Sequence, residues 1–357
     1  MKIALVNTSR GWGGAEEQML AMTRELKRRG HEVSVVARRG GMIHDRFESN
    51  GHQVLPVHRT GLSVVVSPFL VASQVRKEQF DIIHSHRDHD LPLGKLLSLA
   101  GRAPLLLTQH CLPNKPSAFL YGLADRIVAV SEYIAGGIRA KLPAIGTRLG
   151  VIVNGIDPLM FADPDRDFWH RHPLGGERGP LLGVVGAFYK GQEELIALLP
   201  GLRKVFPQLT LILIGEDDSR KHLLVEQAKQ LGVTDAVVFI GRIPREQMKD
   251  ALASLDLNVS TFRNEGFGLS VIEGLAVGTP FVGYRAGGYP EIITDSSTGF
   301  LADRATELTD AVIRMLSADS KSRLEQVESC VATTDKFSLS RMVDTYEATY
   351  VSLKGAA

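Results

Sequence analysis

The stretch over residues 264–301, NEGFGLSVIEGLAVGTPFVGYRAGGYPEIITDSSTGFL, holds the residues best suited to chemistry. An apolar run ending near Ser260 reads as a strand, and it passes through a glycine-containing turn into a helical pattern over 270–277. A helix that opens on such a turn leaves the amides of about Gly268 to Val271 without backbone partners, and the positive end of its dipole adds to them. That combination seats a diphosphate. Glu265 precedes the helix and Glu273 lies eight positions later, at about the second turn. Glu265 can therefore face a group carried by the diphosphate, while Glu273 can reach a ribose diol, whose hydroxyls a carboxylate accepts well. Two glutamates at a helix start are, by themselves, only favourable charge at a dipole. The surroundings change the reading. Gly278-Thr279-Pro280 closes the helix before an apolar strand, and Gly287-Gly288 with Glu291 makes a second glycine turn, a pairing that suits an anionic ligand.

The elements that must position these residues follow a repeating pattern. Short β-branched runs over 3–6, 33–37, 54–57, 82–84, 105–108, 127–130 and 151–153 alternate with helical stretches, the pattern of a parallel sheet covered by helices. After Gly13-Gly14, the residues Ala15, Met19, Met22 and Leu26 form one helical stripe that ends at Arg29-Gly30. Periodicity lapses between about 157 and 180, in a segment rich in Pro, Gly and charge, and then restarts. Strands are predicted over 181–185, 209–214, 237–240, 257–260, 281–283 and 300–301, with helices over 193–206, 223–231, 245–253, 270–277 and 305–317 between them. The chain thus reads as an α/β protein of two doubly wound domains, 1–172 and 173–335, with ligands expected at the strand carboxyl ends in a cleft between them. A helical stripe of Met342, Val343, Tyr346 and Tyr350 marks a C-terminal helix over 336–357, which packs on the second domain or returns to the first.

Bulk properties agree with this division. A chain of 357 residues exceeds what one core organises, and 44% hydrophobic with 23% charged residues is a globular composition. Residues 1–172 hold 22 basic against 16 acidic side chains, a net +6, whereas 173–357 hold 19 against 24, a net −5. The basic first half is compatible with an anionic acceptor or an anionic membrane surface, and equally with a solvated surface. Its basic residues form no dense block interleaved with aromatics, which argues against nucleic acid. Two distant cysteines, Cys111 and Cys330, without metal-ligand spacing, argue against a disulfide framework and a structural zinc site. The N-terminus runs directly into a strand with no secretory apolar stretch, and the longest apolar-rich run, over 62–72, is too short to span a bilayer. A cytoplasmic protein is the expectation.

Motifs along nearly the whole chain resemble family 4 of the retaining glycosyltransferases, a group with the GT-B fold. They are GWGGAEEQ near the start, DIIHSH ending at His86, TQH ending at His110, ADRIVAVSEYI, VIVNGID, the 264–301 segment with its Glu-x7-Glu pair, and the closing FSLSRMVDTY. The resemblance implies that Glu265 contacts the donor sugar and Glu273 the ribose hydroxyls. By the same resemblance the backbone of Phe267, Gly268, Leu269 and Ser270 takes the diphosphate, and Gly13 and Gly14 close over the phosphates. His110 would lie near the reacting sugar. Lys190, in GAFYKGQEEL, stands where the family places the lysine that supports the departing diphosphate, whose bridging oxygen gains negative charge as the glycosidic bond breaks. Ala187 occupies the position where the family commonly has arginine. Arg242 and Arg263 are the nearest candidates to supply that second charge, and Arg263 reads as readily as a solvated surface residue.

The implied reaction moves a hexose-type sugar, with retention, from a nucleoside-diphosphate sugar to a glycan or lipid-linked acceptor in envelope polysaccharide or lipopolysaccharide synthesis. It would need no cofactor and no metal ion, and it would bring the protein into peripheral contact with the inner membrane surface. A catalytically silent sugar-nucleotide or glycan-binding protein is the alternative that Ala187 motivates. A dinucleotide-dependent dehydrogenase fits the doubly wound pattern but lacks GxGxxG after the first strand.

Overall fold

The structure, a computed structural model, describes residues 1–58, 63–171, 179–216 and 218–356. Two compact units share the chain: Met1–Ile156 with Phe337–Ala357, and Asp157–Lys336. The first is built on strands β1 (Lys2–Asn7), β2 (Glu32–Arg38), β3 (Gln53–Val57), β4 (Ile82–Ser85), β5 (Leu105–Gln109), β6 (Arg126–Ala129) and β7 (Leu149–Val151). All pair in parallel in the order β3-β2-β1-β4-β5-β6-β7. A sheet with helices on both faces buries its central strands on both sides, which is why these runs are mostly apolar rather than alternating. Met19, Met22 and Leu26 of the opening helix Gly14–Arg28 pack with Ile3, Leu5, Val33 and Val35 in one core.

The second unit repeats the plan with β8 (Leu181–Val185), β9 (Thr210–Ile214), β10 (Val237–Gly241), β11 (Leu257–Ser260), β12 (Phe281–Tyr284) and β13 (Gly299–Ala302). Their order is β10-β9-β8-β11-β12-β13, again with parallel pairing. In each sheet the direction of winding reverses beside its first strand, between β1 and β4 and between β8 and β11. At such a switch point the connections leave to opposite faces, so a crevice opens at the strand carboxyl ends.

The expected boundary at 172/173 lies outside the described residues, and the units part earlier, at Ile156. Residues 157–171 are tied to the second unit because their polar and aromatic groups find partners there. Trp169 is buried and its indole N–H donates to the Ala251 carbonyl at 2.7 Å. The Phe168 amide donates to Ser254 Oγ at 2.9 Å, and the Asp165 amide to Asp250 Oδ1 at 2.8 Å. The closing helix Leu339–Ala356 places Val343, Tyr346 and Tyr350 in the core of the first unit. The chain re-enters that unit where Ile156 and Ser338 form a parallel bridge, the Ile156 amide donating to the Phe337 carbonyl and the Leu339 amide to the Ile156 carbonyl, each at 2.8 Å. A Cβ on Gly155 would stand 2.6 Å from the Ser338 carbonyl oxygen, so only glycine allows this approach.

The 62–72 run begins outside the described residues at Leu62, and the rest belongs to the helix Ser63–Glu78. That helix exposes Val65, Val66, Phe69 and Leu70. Among the described residues no helix is long and apolar enough to cross a membrane.

Candidate active site

Lys190 and Glu265 leave the two strands that flank the switch point of the second sheet. Beyond β8 the backbone turns at Gly186, and the Lys190 amide donates to the Ala187 carbonyl at 3.1 Å. The aliphatic stem of Lys190 crosses Gly186 so closely that a Cβ there would lie 2.9 Å from Lys190 Cδ. Its ammonium ends 5.4 Å from the centre of the Phe262 ring and 2.8 Å from Glu265 Oε2. Both side chains of this ion pair retain partial exposure, 26% and 20%, so the pair faces solvent while its stems are packed. Two of the three expected catalytic side chains, Lys190 and Glu265, are therefore brought together, the cation held against the carboxylate.

The glycine turns are interlocked as well. The helix after β11 runs Leu269–Ala276, with Gly268 at its N-cap in a left-handed conformation, φ 113°. Val271 donates to the Gly268 carbonyl at 3.0 Å, which removes it from the expected donor set and leaves the amides of Leu269 and Ser270, which have no hydrogen-bond partner among the described residues, as the donors of the first turn. The helix start is pinned to β11 by Asn258, whose side-chain amide donates to the Ser270 carbonyl at 2.8 Å. The second turn lies directly on the first: Gly288 N–H donates to the Glu265 carbonyl at 2.9 Å, and a Cβ on Gly288 would stand 2.7 Å from Phe267 Cα.

Glu273 projects from the second turn of this helix with its side chain only 7% exposed, and Arg245 Nη2 lies 2.5 Å from its Oε1. Arg242 stands elsewhere, half-exposed and 2.8 Å from Glu216. Arg263 is taken up by Glu194 at 3.0 Å and stacks 3.7 Å from the centre of the Tyr284 ring, and the Tyr284 hydroxyl donates to the same glutamate. Neither of these arginines contacts Lys190 or Glu265 in any hydrogen bond or ion pair among the described residues.

In the first unit the expected residues also lie at strand carboxyl ends. Gly13 caps the opening helix, and its amide is occupied: Glu16 Oε2 accepts it at 3.0 Å while Glu16 Oε1 accepts from Asn7 Nδ2 at 3.2 Å. Gly14 begins the helix itself. His110 follows β5 and stacks on His86, which follows β4, with ring centres 5.5 Å apart and His86 Nδ1 3.2 Å from His110 Nε2. His86 stacks in turn on His84 at 4.3 Å. His84 reaches the Tyr350 hydroxyl at 2.8 Å and Thr108 Oγ1 at 2.7 Å, and Thr108 Oγ1 lies 3.0 Å from the Tyr346 hydroxyl. A chain of hydrogen bonds and one ring stack thus runs from the closing helix to His110.

Sequence comparison decides what such a pair of units is. Residues 12–158 match the family described as Glycosyltransferase Family 4, and residues 165–329 match Glycosyl transferases group 1. The chain belongs to the family 4, group 1 glycosyltransferases. This glycosyltransferase is 27% identical over 324 residues to a phosphatidyl-myo-inositol mannosyltransferase of Mycolicibacterium smegmatis, covering 86% of this chain and 82% of that one. It is 26% identical over 322 residues to a D-inositol 3-phosphate glycosyltransferase of Acidothermus cellulolyticus, covering 79% and 69%. Among solved structures it resembles HepE of Anabaena, crystallised with UDP and glucose, at a TM-score of 0.84 and 23% identity over 99% and 100% of the two chains. WaaG, a glycosyltransferase involved in lipopolysaccharide biosynthesis, superposes at 0.72 with 17% identity over 96% and 98%. These likenesses establish the GT-B fold for both sheets.

Sequence reasoning passed over Arg245, Glu194, His84 and His86 in the glycosyltransferase. Arg245 sits three positions after Arg242 in the same loop, and only the packing of the helix Met248–Ala253 against Leu269–Ala276 reveals which arginine meets Glu273. The histidines carried a signal in HSH and TQH, since residues two apart at a strand end point the same way.

Burial holds these histidines neutral. It depresses His84 from 6.5 to about 3, with the neighbouring His110 adding to the effect. It likewise depresses His110 to about 4, with Arg87 contributing, and lowers His86 strongly. An unfolded chain protonates its histidines as pH drops below 6.5, whereas the folded one does not until about 4 and then 3. Above 6.5 these groups therefore leave stability unchanged, and as pH falls from 6.5 towards the folded values each histidine held neutral costs about 1.4 kcal/mol per pH unit. Urea midpoints followed by circular dichroism are expected to fall clearly between pH 7.5 and pH 5. A flat midpoint across this window would contradict the assignment.

Proposed function

We propose that this glycosyltransferase moves a hexose-type sugar from a nucleoside-diphosphate sugar to a hydroxyl of a glycan or lipid-linked acceptor, with retention of anomeric configuration. The observation that carries the reading is the Lys190–Glu265 contact at the switch point of the second sheet, beside the open amides of Leu269 and Ser270. The diphosphate is received by those amides and by the end of the helix dipole. Lys190 Nζ neutralises the charge that grows on the bridging oxygen as the sugar departs. Glu265 accepts hydrogen bonds from the sugar, and Glu273 accepts them from the ribose. The departing phosphate oxygen takes the proton of the acceptor hydroxyl as that hydroxyl attacks the same face of the sugar. This scheme needs neither a glycosidase-type carboxylate pair nor a protein nucleophile, and it calls for no metal ion or cofactor. His110, kept neutral by burial, serves the reacting sugar as a hydrogen-bonding group and not as a cation. The first unit binds the acceptor, and Gly14 contributes the amide of its glycine turn.

Several observations support the finer assignments. HepE is crystallised with UDP, which makes a uridine donor the first to test. The relatives' names point to inositol-bearing, phosphorylated acceptors, in keeping with the net +6 of residues 1–172. The exposed Val65, Val66, Phe69 and Leu70 support work at the inner face of a membrane by a cytoplasmic protein, in the assembly of envelope polysaccharide or lipopolysaccharide. The test incubates purified protein with UDP-, GDP-, ADP- and CDP-sugars and a panel of glycolipids and inositol phosphates, with the product anomer read by proton NMR. Transfer with retention is expected. Nucleotide binding without transfer to any acceptor would favour a silent sugar-nucleotide-binding protein, and an inverted product would overturn the mechanism.

A further inference from the structure

Glu273 is an unusual place for an exposed ligand's carboxylate, because its side chain is nearly buried. A buried carboxylate without a counter-ion is strongly destabilising. Arg245 supplies the counter-ion. Its Nη2 lies 2.5 Å from Glu273 Oε1, and its guanidinium packs 5.6 Å from the centre of the Phe161 ring. It begins the turn Arg245–Gln247, which leads directly into the helix Met248–Ala253 packed on the glutamate-bearing helix. The backbone that carries the arginine and the backbone that carries the glutamate are thus fixed to one another. An ionised carboxylate has about four acceptor sites on its two oxygens. Arg245 engages Oε1, and Oε2 makes no hydrogen bond among the described residues.

We propose that Arg245 is a ribose-positioning residue: by holding Glu273 through one oxygen it presents the other, in a fixed rotamer, to the vicinal diol of the nucleotide. The inference rests on the reading of Glu273 as the ribose acceptor and adds the residue that makes that acceptor competent. A guanidinium suits the task better than an ammonium because its planar fork fixes direction as well as charge. The arginine itself need not touch the nucleotide.

The two claims separate in one experiment. Isothermal titration of the full chain is carried out with UDP, GDP and their 2′,3′-dideoxy counterparts, using wild type, Arg245→Ala, Arg245→Gln and Arg245→Lys, with melting curves to confirm folding. The wild type is expected to prefer the ribose form by about 10-fold or more, the worth of a hydrogen bond to a charged group. Arg245→Ala is expected to bring that ratio close to one while leaving the dideoxy affinity within about two-fold, and Arg245→Lys to restore part of the ratio, on the same scale. If Arg245→Ala does not fold, Arg245→Gln, which keeps a shorter polar side chain without the charge, carries the comparison. Wild type without a ribose preference, or without binding to any of the four nucleotides, would overturn the reading of Glu273 and the inference with it. Wild type with the preference, and Arg245 variants that keep it, would overturn the role of Arg245 alone. Equal weakening of both nucleotide forms in the variants would reduce Arg245 to a structural counter-ion and also sink the proposal.

Discussion

Lys190→Ala is expected to lower kcat for sugar transfer by about two to three orders of magnitude, the loss that follows removal of one preorganised donor at a developing negative charge. The expectation comes from geometry. The ammonium is delivered by a turn whose amide is bonded to the Ala187 carbonyl, its stem is packed over Gly186, and its tip lies 2.8 Å from Glu265. Alanine at this position removes the charge without removing the turn, so the folded structure persists and circular dichroism stays unchanged. Glu265→Gln tests the other half of the pair. It keeps the shape and one acceptor but loses the charge that holds Lys190 in place, and a smaller fall in kcat with a raised KM is expected. Groups joined by one ion pair do not act additively, so the double variant should fall by less than the product of the single effects. Steady-state kinetics on the three variants decide the matter. A wild-type rate from both single variants would remove Lys190 and Glu265 from the chemistry.

Gly287→Val is expected to abolish transfer by a different route. Gly287 sits at φ 60°, and a Cβ there would lie 2.6 Å from the carbonyl oxygen and 3.0 Å from the amide nitrogen of Glu265. The obstruction is backbone, which cannot swing aside as a side-chain tip does. A β-branched residue adds the penalty of the left-handed region, about 1–2 kcal/mol, to an overpacking cost of about 1–3 kcal/mol. The loop that carries Glu265 must therefore shift, and a displacement of about 1 Å at a reacting group costs about 100-fold in rate. The expected result is a protein that melts lower but remains folded, binds nucleotide weakly and has kcat reduced at least as far as in Lys190→Ala. Wild-type kinetics in a folded Gly287→Val variant would show that the two glycine turns do not position the site.

Among the described residues, all thirteen strands of the two sheets were legible, because a strand buried on both faces leaves a short run of β-branched and aliphatic residues between turn signals. Boundaries were less so. The run read over 151–153 pairs instead as Leu149–Val151, since Asn154 and Gly155 belong to the connection that meets Ser338. The helix read over 193–206 ends at Leu202, where Gly201 and the approaching Pro207 weaken it. The helix Ser320–Thr333 left no apolar stripe, because Cys330 is the residue it buries fully. At the site, Glu265, Glu273, Lys190 and the glycine turns were readable from spacing and resemblance. Their counter-ions were not. Whether Arg242, Arg245 or Arg263 meets a given carboxylate depends on how adjacent helices pack, and Glu194 captures Arg263 from 69 positions away. A one-dimensional pattern carries no record of such distances.

The first unit is completed by residues that follow the whole of the second. Residues 157–336 emerge from the ribosome as an uninterrupted block, while the sheet begun at Lys2 still lacks Met342, Val343, Tyr346 and Tyr350 from its core. Domains usually mature in the order of their synthesis. Here the order can invert, because the later half is complete in the nascent chain before the earlier half receives its last core residues from the helix Leu339–Ala356.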